Sequence, residues 1–173
     1  MIYLVRHGQT EWNLLKKFNG ITETELNETG INQAHILKED INKLNLDLCF
    51  SSPQKRASQT CKIIYKGIGI LDNRLSEIDC GEFEGMTETF ESTKLFWKAV
   101  MCGDKGTESF HHFIKRNCDF CSMISTEFIG KNILIITHAA NARVINYYFS
   151  GKPSDYDFRT PVAGNGEILR FEN

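Results

Sequence analysis

The sequence predicts an α/β fold: a three-layer α/β/α sandwich with a mostly parallel central sheet and an antiparallel edge strand. Two observations lead to this fold class. Short apolar runs alternate with longer segments whose apolar residues recur at helical spacing, and short joins connect them. The last apolar run, 167–171, comes after a loop-like stretch and is expected to form an edge strand.

Length and composition indicate one ordinary globular domain. The chain has 173 residues, of which 41% are hydrophobic and 24% are charged, and it contains only 3 prolines. No linker, repeat or low-complexity tract divides it. We therefore expect a single domain over 1–173, with a small helical lid or insertion around 86–106.

Charge and hydropathy narrow the range of partners. The formal net charge of -2 gives no general attraction to nucleic acid or to an anionic membrane. No apolar run approaches the roughly 20 residues that span a bilayer, and no basic leader precedes Ile2. We expect a cytoplasmic protein with free thiols that binds a small molecule, and a homodimer is compatible with the sequence.

The first predicted strand and helix are separated by a polar stretch. An apolar run at 2–5 predicts a buried strand, and the residues from 14 to 25 are polar and irregular. Asn27 or Thr29 can cap the helix that follows. The apolar face of that helix is expected to consist of Ile31, Ala34, Leu37, Ile41 and Leu44.

The second predicted strand leads directly into a helix. The apolar run 46–50 is followed by Ser52 as the expected N-cap and Pro53 as the first helical residue. Arg56 then lies in the first turn, close to the strand end. The buried face is expected to consist of Ala57, Cys61, Ile64 and Tyr65. A further short strand is expected at 68–71.

The middle of the chain predicts a carboxylate-rich loop followed by two helices. The loop 74–85 contains Glu77, Asp79, Glu82 and Glu84. A helix at 90–100 is expected to place Phe90, Lys94, Trp97 and Met101 in one row. It can be a substrate-selecting lid or a packed amphipathic helix, and the sequence leaves both open. Thr107 is the expected cap of a longer helix with the apolar residues Phe110, Phe113, Ile114, Cys118, Cys121 and Phe128.

The last part of the chain repeats the opening pattern, in which a histidine follows a strand. The β-branched run 133–136 predicts a strand that ends near His138 and passes into a helix over 141–149. From Pro153 onward a loop is expected, up to the edge strand at 167–171.

Three predicted strand ends each carry a cationic or titratable side chain. Arg6 and His7 follow the first strand, Arg56 lies just beyond the second, and His138 follows the strand at 133–136. Parallel strands bring their carboxyl ends to one edge of a sheet, where open α/β sheets bind ligands. Two guanidinium groups and the amides of helix N-termini suit the oxygens of a phosphoryl group. The sequence therefore predicts a phosphate site.

A histidine at such a site can act as a nucleophile. A neutral imidazole nitrogen attacks phosphorus without first losing a proton, and a phosphohistidine divides one hard displacement into two easier ones. A second histidine, if protonated, donates to the phosphoryl oxygens. The proton for the leaving oxygen must come from another group, and the loop 74–85 is the expected source.

The stretch 4–13, read as Leu4-Val5-Arg6-His7-Gly8-Gln9-Thr10-Glu11-Trp12-Asn13, resembles the signature of the histidine phosphatase superfamily, the phosphoglycerate mutase-like proteins. Other matches follow in family order over nearly the whole chain. They are Phe18-Asn19-Gly20, Leu26 to Gly30, Ser51-Ser52-Pro53 with Arg56-Ala57, Leu75-Ser76-Glu77, Gly81 to Gly85, and Thr137-His138. An ordered series of this kind is far more specific than one motif.

The resemblance implies catalytic roles for five residues. It identifies His7 as the phosphorylated nucleophile and Glu77 as the general acid. Arg6, Arg56 and His138 would hold the phosphoryl group. It implies neither a metal nor an organic cofactor.

The resemblance also implies contacts around the substrate. Asn13 would supply a supporting phosphate contact, and the backbone amide of Ala139 would donate another. Gly20 and Ile21 would lie along the substrate entrance.

Departures from the family pattern favour hydrolysis. Glycine usually follows the second histidine, whereas Ala139 and Ala140 stand here and add a methyl group near the pocket. Ile78 follows the expected acid where phosphoglycerate mutases tend to carry an arginine, and no paired arginine occurs between Gly85 and Phe110. Such arginines would grip a glycerate carboxylate. We therefore expect a phosphomonoesterase of the histidine acid phosphatase type that acts on small phosphorylated metabolites.

Two alternative functions stay open on the sequence alone. One is phosphoryl transfer of the phosphoglycerate mutase type. The other is a non-catalytic module that binds a phosphorylated ligand, which is less favoured because binding alone needs neither a nucleophile nor an acid.

A zinc site is a further alternative. Cys118 and Cys121 lie near His111 and His112 in the sequence. Both thiols fall on the apolar stripe of the predicted helix, however, so core cysteines are favoured over metal ligands.

Overall fold

The sheet has the predicted topology in the computed structural model of this chain, which describes residues 1–151 and 160–172. Its five strands are β1 (Ile2–Arg6), β2 (Leu48–Ser51), β3 (Ile70–Leu71), β4 (Ile133–Thr137) and β5 (Ile168–Phe171). They follow the order β3-β2-β4-β1-β5 across the sheet. β5 pairs antiparallel with β1, and all the other pairs are parallel. The mostly parallel sheet and its antiparallel edge strand are thus confirmed.

The strand register aligns the carboxyl ends of the three central strands. Arg6 of β1 pairs with Thr137 of β4, and Ser51 of β2 pairs with Ile136 of β4. The residues that follow these positions therefore emerge side by side at one edge. This alignment is what brings the strand-end histidines together.

Helices cover both faces of the sheet. They are α1 (Glu11–Leu14), α2 (Glu28–Ile41), α3 (Lys55–Ile64), α4 (Phe90–Cys102), α5 (Phe110–Glu127) and α6 (Ala139–Ser150), with 3-10 turns at Asn73–Leu75 and Gly81–Phe83. α2 and α3 pack on one face of β1, β2 and β4, and α5 and α6 pack on the other. This arrangement confirms the three layers. None of the helices in the described ranges is both long and apolar enough to cross a membrane.

The segment around α4 forms its own small core beside the carboxyl edge of the sheet. Phe96 and Val100 of α4 are buried against Phe18, Phe83 and Phe113. The ring centroids of Phe18 and Phe96 lie 5.0 Å apart. α4 is therefore packed against the loops next to the strand ends.

Two predicted helix caps are wrong. α3 begins at Lys55 with Gln54 as its N-cap, so Ser52 does not cap it, and its hydroxyl is hydrogen-bonded to a histidine ring instead. α5 is capped by Ser109, whose side chain accepts the amide hydrogen of His112. Thr107 does not cap α5, because its hydroxyl donates to the carbonyl oxygen of Asp104 instead.

Two predicted apolar rows hold only in part. In α4 the row splits: Phe90 is 80% exposed and Met101 is also exposed, whereas Trp97 is half-buried beside Phe96. In α2 Ala34, Leu37 and Ile41 are buried as predicted. Ile31 is 40% exposed instead, because Gly30 is packed against the backbone of the loop that follows β1. The loop predicted from Pro153 falls in part on residues 152–159, outside the described residues.

Candidate active site

A cavity opens at the carboxyl edge of the sheet, between the strand ends and α4. Its volume is about 400 Å³. Of the nine residues that the sequence singled out, five line it, namely Arg6, His7, Asn13, Glu77 and Ala139. The other four, Arg56, His138, Gly20 and Ile21, do not.

His7 is held in one tautomer at the floor of the cavity. Its Nδ1 lies 2.7 Å from the carbonyl oxygen of Gly8. A carbonyl can only accept, so Nδ1 carries the hydrogen and Nε2 carries the lone pair. Burial, followed by the charges of Arg56 and Arg6, lowers the pKa of His7 well below its usual value. The ring is therefore neutral at pH 7.

The loop that carries His7 is fixed by neighbouring side chains. The amide of Gly8 donates to Thr60 Oγ1 at 3.1 Å, and Asn165 Nδ2 donates to the carbonyl oxygen of His7 at 2.8 Å. The amide of His7 itself donates to the carbonyl oxygen of Thr137 in β4. These bonds reach the loop from three separate elements.

His138 lies beside His7 but uses both of its ring nitrogens within the protein. The two ring centroids are 5.0 Å apart. Nδ1 accepts from Arg56 Nε at 3.2 Å, so Nε2 carries the hydrogen and donates to Ser52 Oγ at 2.8 Å. Burial, and after it Arg56, lowers the pKa of His138 well below its usual value. This differs from the expectation of a protonated second histidine that donates to the phosphoryl group.

Arg56 is fully buried below the cavity floor. Its Nη2 donates to the carbonyl oxygens of Gly20 and Asn19 at 2.8 and 3.2 Å, and its Nη1 donates to that of Thr22 at 3.0 Å. With the bond to His138, the guanidinium group thus holds four acceptors. Burial lowers the pKa of Arg56, and the charge of Glu77 opposes that effect.

Arg6 presents donors that the described part of the protein does not use. Nη1 donates to the carbonyl oxygen of Ala163 at 3.2 Å, and the buried Nε has no partner among the described residues. Burial lowers the pKa of Arg6, and Glu77 raises it. An unpartnered buried donor is uncommon in proteins and fits a site that takes an anionic ligand.

Glu77 is held by three elements. Its Oε2 accepts the amide hydrogen of Ala140 at 3.2 Å, and its Oε1 accepts that of Ile78 at 2.9 Å. Its own amide donates to Gln54 Oε1 at 2.8 Å. Arg116 donates to its carbonyl oxygen at 3.3 Å and to two other carbonyls of the same loop. The carboxyl group is thereby directed toward the cavity from a fixed backbone.

Asn13 and Ala139 each place an N–H donor at the cavity. Asn13 Oδ1 accepts from the amide of Thr10 at 3.1 Å and from Asn165 Nδ2 at 3.4 Å, whereas its Nδ2 has no partner in the described ranges. The amide of Ala139 is the first of α6 and is also unpartnered within them. Both donors are available to a ligand.

Gly20 and Ile21 lie away from this cavity. The carbonyl oxygen of Gly20 accepts from Arg56 and from Gln54 Nε2 at 2.7 Å, and the side chain of Glu84 fills the space where a Cβ would project. Ile21 is 52% exposed and lines a second concavity, which shares Glu77 with the cavity. Neither residue lines the cavity itself, and their place along the entrance stays a prediction.

Several residues that line the cavity carried no signal in the sequence. Lys17, Glu88, Trp97 and Arg143 line the cavity, but they lie on a loop, on an insertion and inside helices, where spacing says nothing about a shared pocket. Among the residues that the sequence analysis missed, Asn165 had the clearest local signal, because it lies between two glycines just before the edge strand.

The family model of the histidine phosphatase superfamily (branch 1) matches residues 2–172. The chain belongs to the histidine phosphatase superfamily. The α/β fold and the strand-end histidine pair agree with that membership.

Named relatives support a phosphatase activity. A Hydrogenobacter thermophilus protein provisionally named phosphoserine phosphatase 2 is 32% identical over 87% of this chain and 78% of its own length. A Bacillus subtilis protein named as an uncharacterised phosphatase, PhoE, is 31% identical over 87% of this chain and 77% of its own. An acid phosphatase of Mycobacterium tuberculosis is 27% identical over 99% of this chain and 87% of its own length.

Solved structures share the fold. Bacillus stearothermophilus YhfR superposes with a TM-score of 0.81 at 26% identity, covering 96% of this chain and 88% of that one. The alpha-ribazole phosphatase from Shigella flexneri superposes with a TM-score of 0.80 at 23% identity, covering 96% of this chain and 87% of that one. At this identity the likeness shows a shared fold and no more.

Proposed function

We propose that this chain is a phosphomonoesterase of the histidine acid phosphatase type, which hydrolyses small phosphorylated metabolites through a phosphohistidine at His7 Nε2. The hydrogen bond from Nδ1 to the carbonyl oxygen of Gly8 carries the proposal. It leaves the lone pair on the other nitrogen, and burial keeps the ring neutral. A neutral imidazole with a fixed tautomer is the state a phosphoryl acceptor requires.

The first step transfers the phosphoryl group to the protein. Nε2 of His7 attacks phosphorus, the bond from phosphorus to the ester oxygen breaks, and Glu77 donates its proton to the departing oxygen. In the second step water attacks the phosphohistidine and gives a proton to Glu77, and the P–N bond breaks. Inorganic phosphate leaves and both side chains return to their starting states.

Two layers of positive charge support the phosphoryl oxygens. Three residues that line the cavity have N–H donors without a partner in the described ranges, namely Arg6, Asn13 and Ala139. Arg56 lies behind them, where it contributes charge and holds the loop 19–22. His138 is a positioning residue in this scheme, because its bond with Arg56 orients the guanidinium group.

The cavity size supports a small substrate. A volume of about 400 Å³ falls within the usual range for small-molecule sites. The names of the relatives differ in the ester they specify, so the substrate depends on residues outside the shared motifs.

Phosphoglycerate mutase-type transfer is the second candidate. Lys17 and Arg143 line the cavity, and a glycerate carboxylate needs such cationic partners. Interconversion of 2- and 3-phosphoglycerate faster than their hydrolysis would select it.

Hydrolysis of an aryl phosphate tests the proposed function. We expect His7→Ala to reduce phosphate release at least ~1000-fold, since loss of a catalytic nucleophile commonly has such effects. His35→Ala, at an exposed position of α2, is the matched control and should retain wild-type activity. Denaturation at alkaline pH during turnover of a phosphate ester should trap a phosphohistidine in the wild type that is stable in base and lost on acid treatment. Equal rates for wild type and His7→Ala would refute the assignment.

A further inference from the structure

One carboxylate in the cavity wall, that of Glu88, has no part in the phosphoryl chemistry. Its backbone is fixed beside the cavity, because its amide donates to the carbonyl oxygen of Lys16 at 2.7 Å and the adjoining bridge pairs Lys17 with Thr87. Its side chain lines the cavity and makes no hydrogen bond or ion pair within the described ranges. The segment is thus ordered while its carboxylate is unpartnered.

This carboxylate opposes the charge of the ligand that the cavity floor receives. Partial burial raises the pKa of Glu88, and the charges of Arg6 and Arg143 oppose that shift. A negative group near an incoming phosphate dianion weakens binding by repulsion. Such a group discriminates between ligands when it meets a cation on the preferred ligand and repels the others.

An aromatic surface accompanies the carboxylate. Trp97 and Phe96 of α4 line the same cavity. An ammonium group is recognised by the combination of a carboxylate and the face of an aromatic ring, above all that of tryptophan. Lys17 and Arg143 line the same cavity and supply positive charge for an anionic group. Besides the phosphate-binding residues, the cavity lining therefore offers both signs of charge.

We propose that Glu88, together with Trp97, binds an ammonium group of the substrate, so that this chain prefers phosphate monoesters that carry an amine. This inference rests on the proposed phosphatase function and adds a substrate class to it. The ester bond lies over His7, and the amine extends toward α4.

A pair of matched esters tests the inference. Phosphoserine and 3-phosphoglycerate share a phosphate and a carboxylate and differ mainly in an ammonium against a hydroxyl group. We expect kcat/KM for phosphoserine to exceed that for 3-phosphoglycerate in the wild type by about tenfold or more, the usual effect of one charge-assisted hydrogen bond. Glu88→Gln should reduce this ratio by about the same factor, and Glu88→Lys should invert the preference.

Controls separate this inference from its alternatives. Glu91→Gln, at an exposed position of α4 outside the cavity, should leave the ratio unchanged. Phosphoethanolamine, an amine without a carboxylate, should lose activity in Glu88→Gln as phosphoserine does. If Glu88 only balances the positive charge of the cavity, Glu88→Gln will change kcat/KM for phosphoserine and for 3-phosphoglycerate by the same factor. That result would overturn the inference. So would a wild-type enzyme that hydrolyses an aryl phosphate through His7 but shows no preference for the amine. If His7→Ala left every ester equally active, the proposed function itself would fail.

Discussion

Replacing Arg56 by methionine gives the sharpest test of how the site is built. The side chain is fully buried and donates to three loop carbonyls and to His138 Nδ1. Methionine fills a similar volume but donates no hydrogen bond. The substitution therefore removes all four bonds at once and leaves the hydrophobic contacts of α3 largely intact.

The expected loss of stability follows from the acceptors that remain. The carbonyl oxygen of Gly20 keeps its bond from Gln54, so its loss is partial. His138 Nδ1 and the carbonyl oxygens of Asn19 and Thr22 lose their only protein donor among the described residues, and each buried acceptor without a partner costs about 1–3 kcal/mol. Partial access of water to the loop reduces this sum. We expect Arg56→Met to lower the free energy of unfolding by about 3–5 kcal/mol.

Urea unfolding followed by circular dichroism measures this loss. Lys55→Met is the matched control, because Lys55 is the neighbouring residue and its ion pair with Glu25 is exposed. That variant should stay within about 0.5 kcal/mol of the wild type. A loss below about 1 kcal/mol in Arg56→Met would refute the view that Arg56 holds the loop 19–22.

Two further predictions concern protonation and the loop that carries the acid. Because the folded pKa values of His7 and His138 are lowered below 6.5, the unfolded chain binds more protons in mild acid, so the free energy of unfolding should fall as the pH drops below about 6.5. The His138→Gln variant should show a smaller fall, whereas the exposed control His35→Gln should match the wild type. If the free energy of unfolding of His138→Gln depended on pH as that of the wild type does, His138 would not contribute to the fall. Arg116→Met should lower kcat on an aryl phosphate about tenfold and leave KM within about twofold, since it releases the carbonyls around Glu77. Lys115→Met is its exposed control, and a change confined to KM would count against a positioning role.

Strand ends were predictable because their position depends on backbone topology. An apolar run followed by Arg6 and His7, and another followed by His138, place these residues at one edge of any parallel sheet in which the two strands are neighbours. In the structure β1 and β4 are neighbours. No knowledge of side-chain packing was needed for this part of the site.

Side-chain partners were not predictable from the same patterns. Arg56 was expected at the phosphoryl group, yet its guanidinium group is turned into the protein toward the loop 19–22, a contact between segments that no local spacing reveals. Ser52 has the local sequence of a helix cap, but its hydroxyl is hydrogen-bonded to Nε2 of the buried His138, more than 80 residues away. Tertiary packing determines which hydrogen-bond partner such a side chain finds, and the local sequence does not encode that packing.

The buried arginines have linked effects on the nucleophile and on the ligand. Burial, and after it the charges of Arg56 and Arg6, lowers the pKa of His7, so the ring stays a neutral nucleophile at a pH where a free histidine would be protonated. The same charges attract the phosphoryl dianion that His7 attacks. A bound dianion reduces the net positive field at the ring and so stabilises the positive charge that develops on the attacking imidazole. Removal of Arg56 should therefore raise the pKa of His7 in the free protein and weaken phosphate binding together. A variant that changed only one of the two would show that they have separate causes.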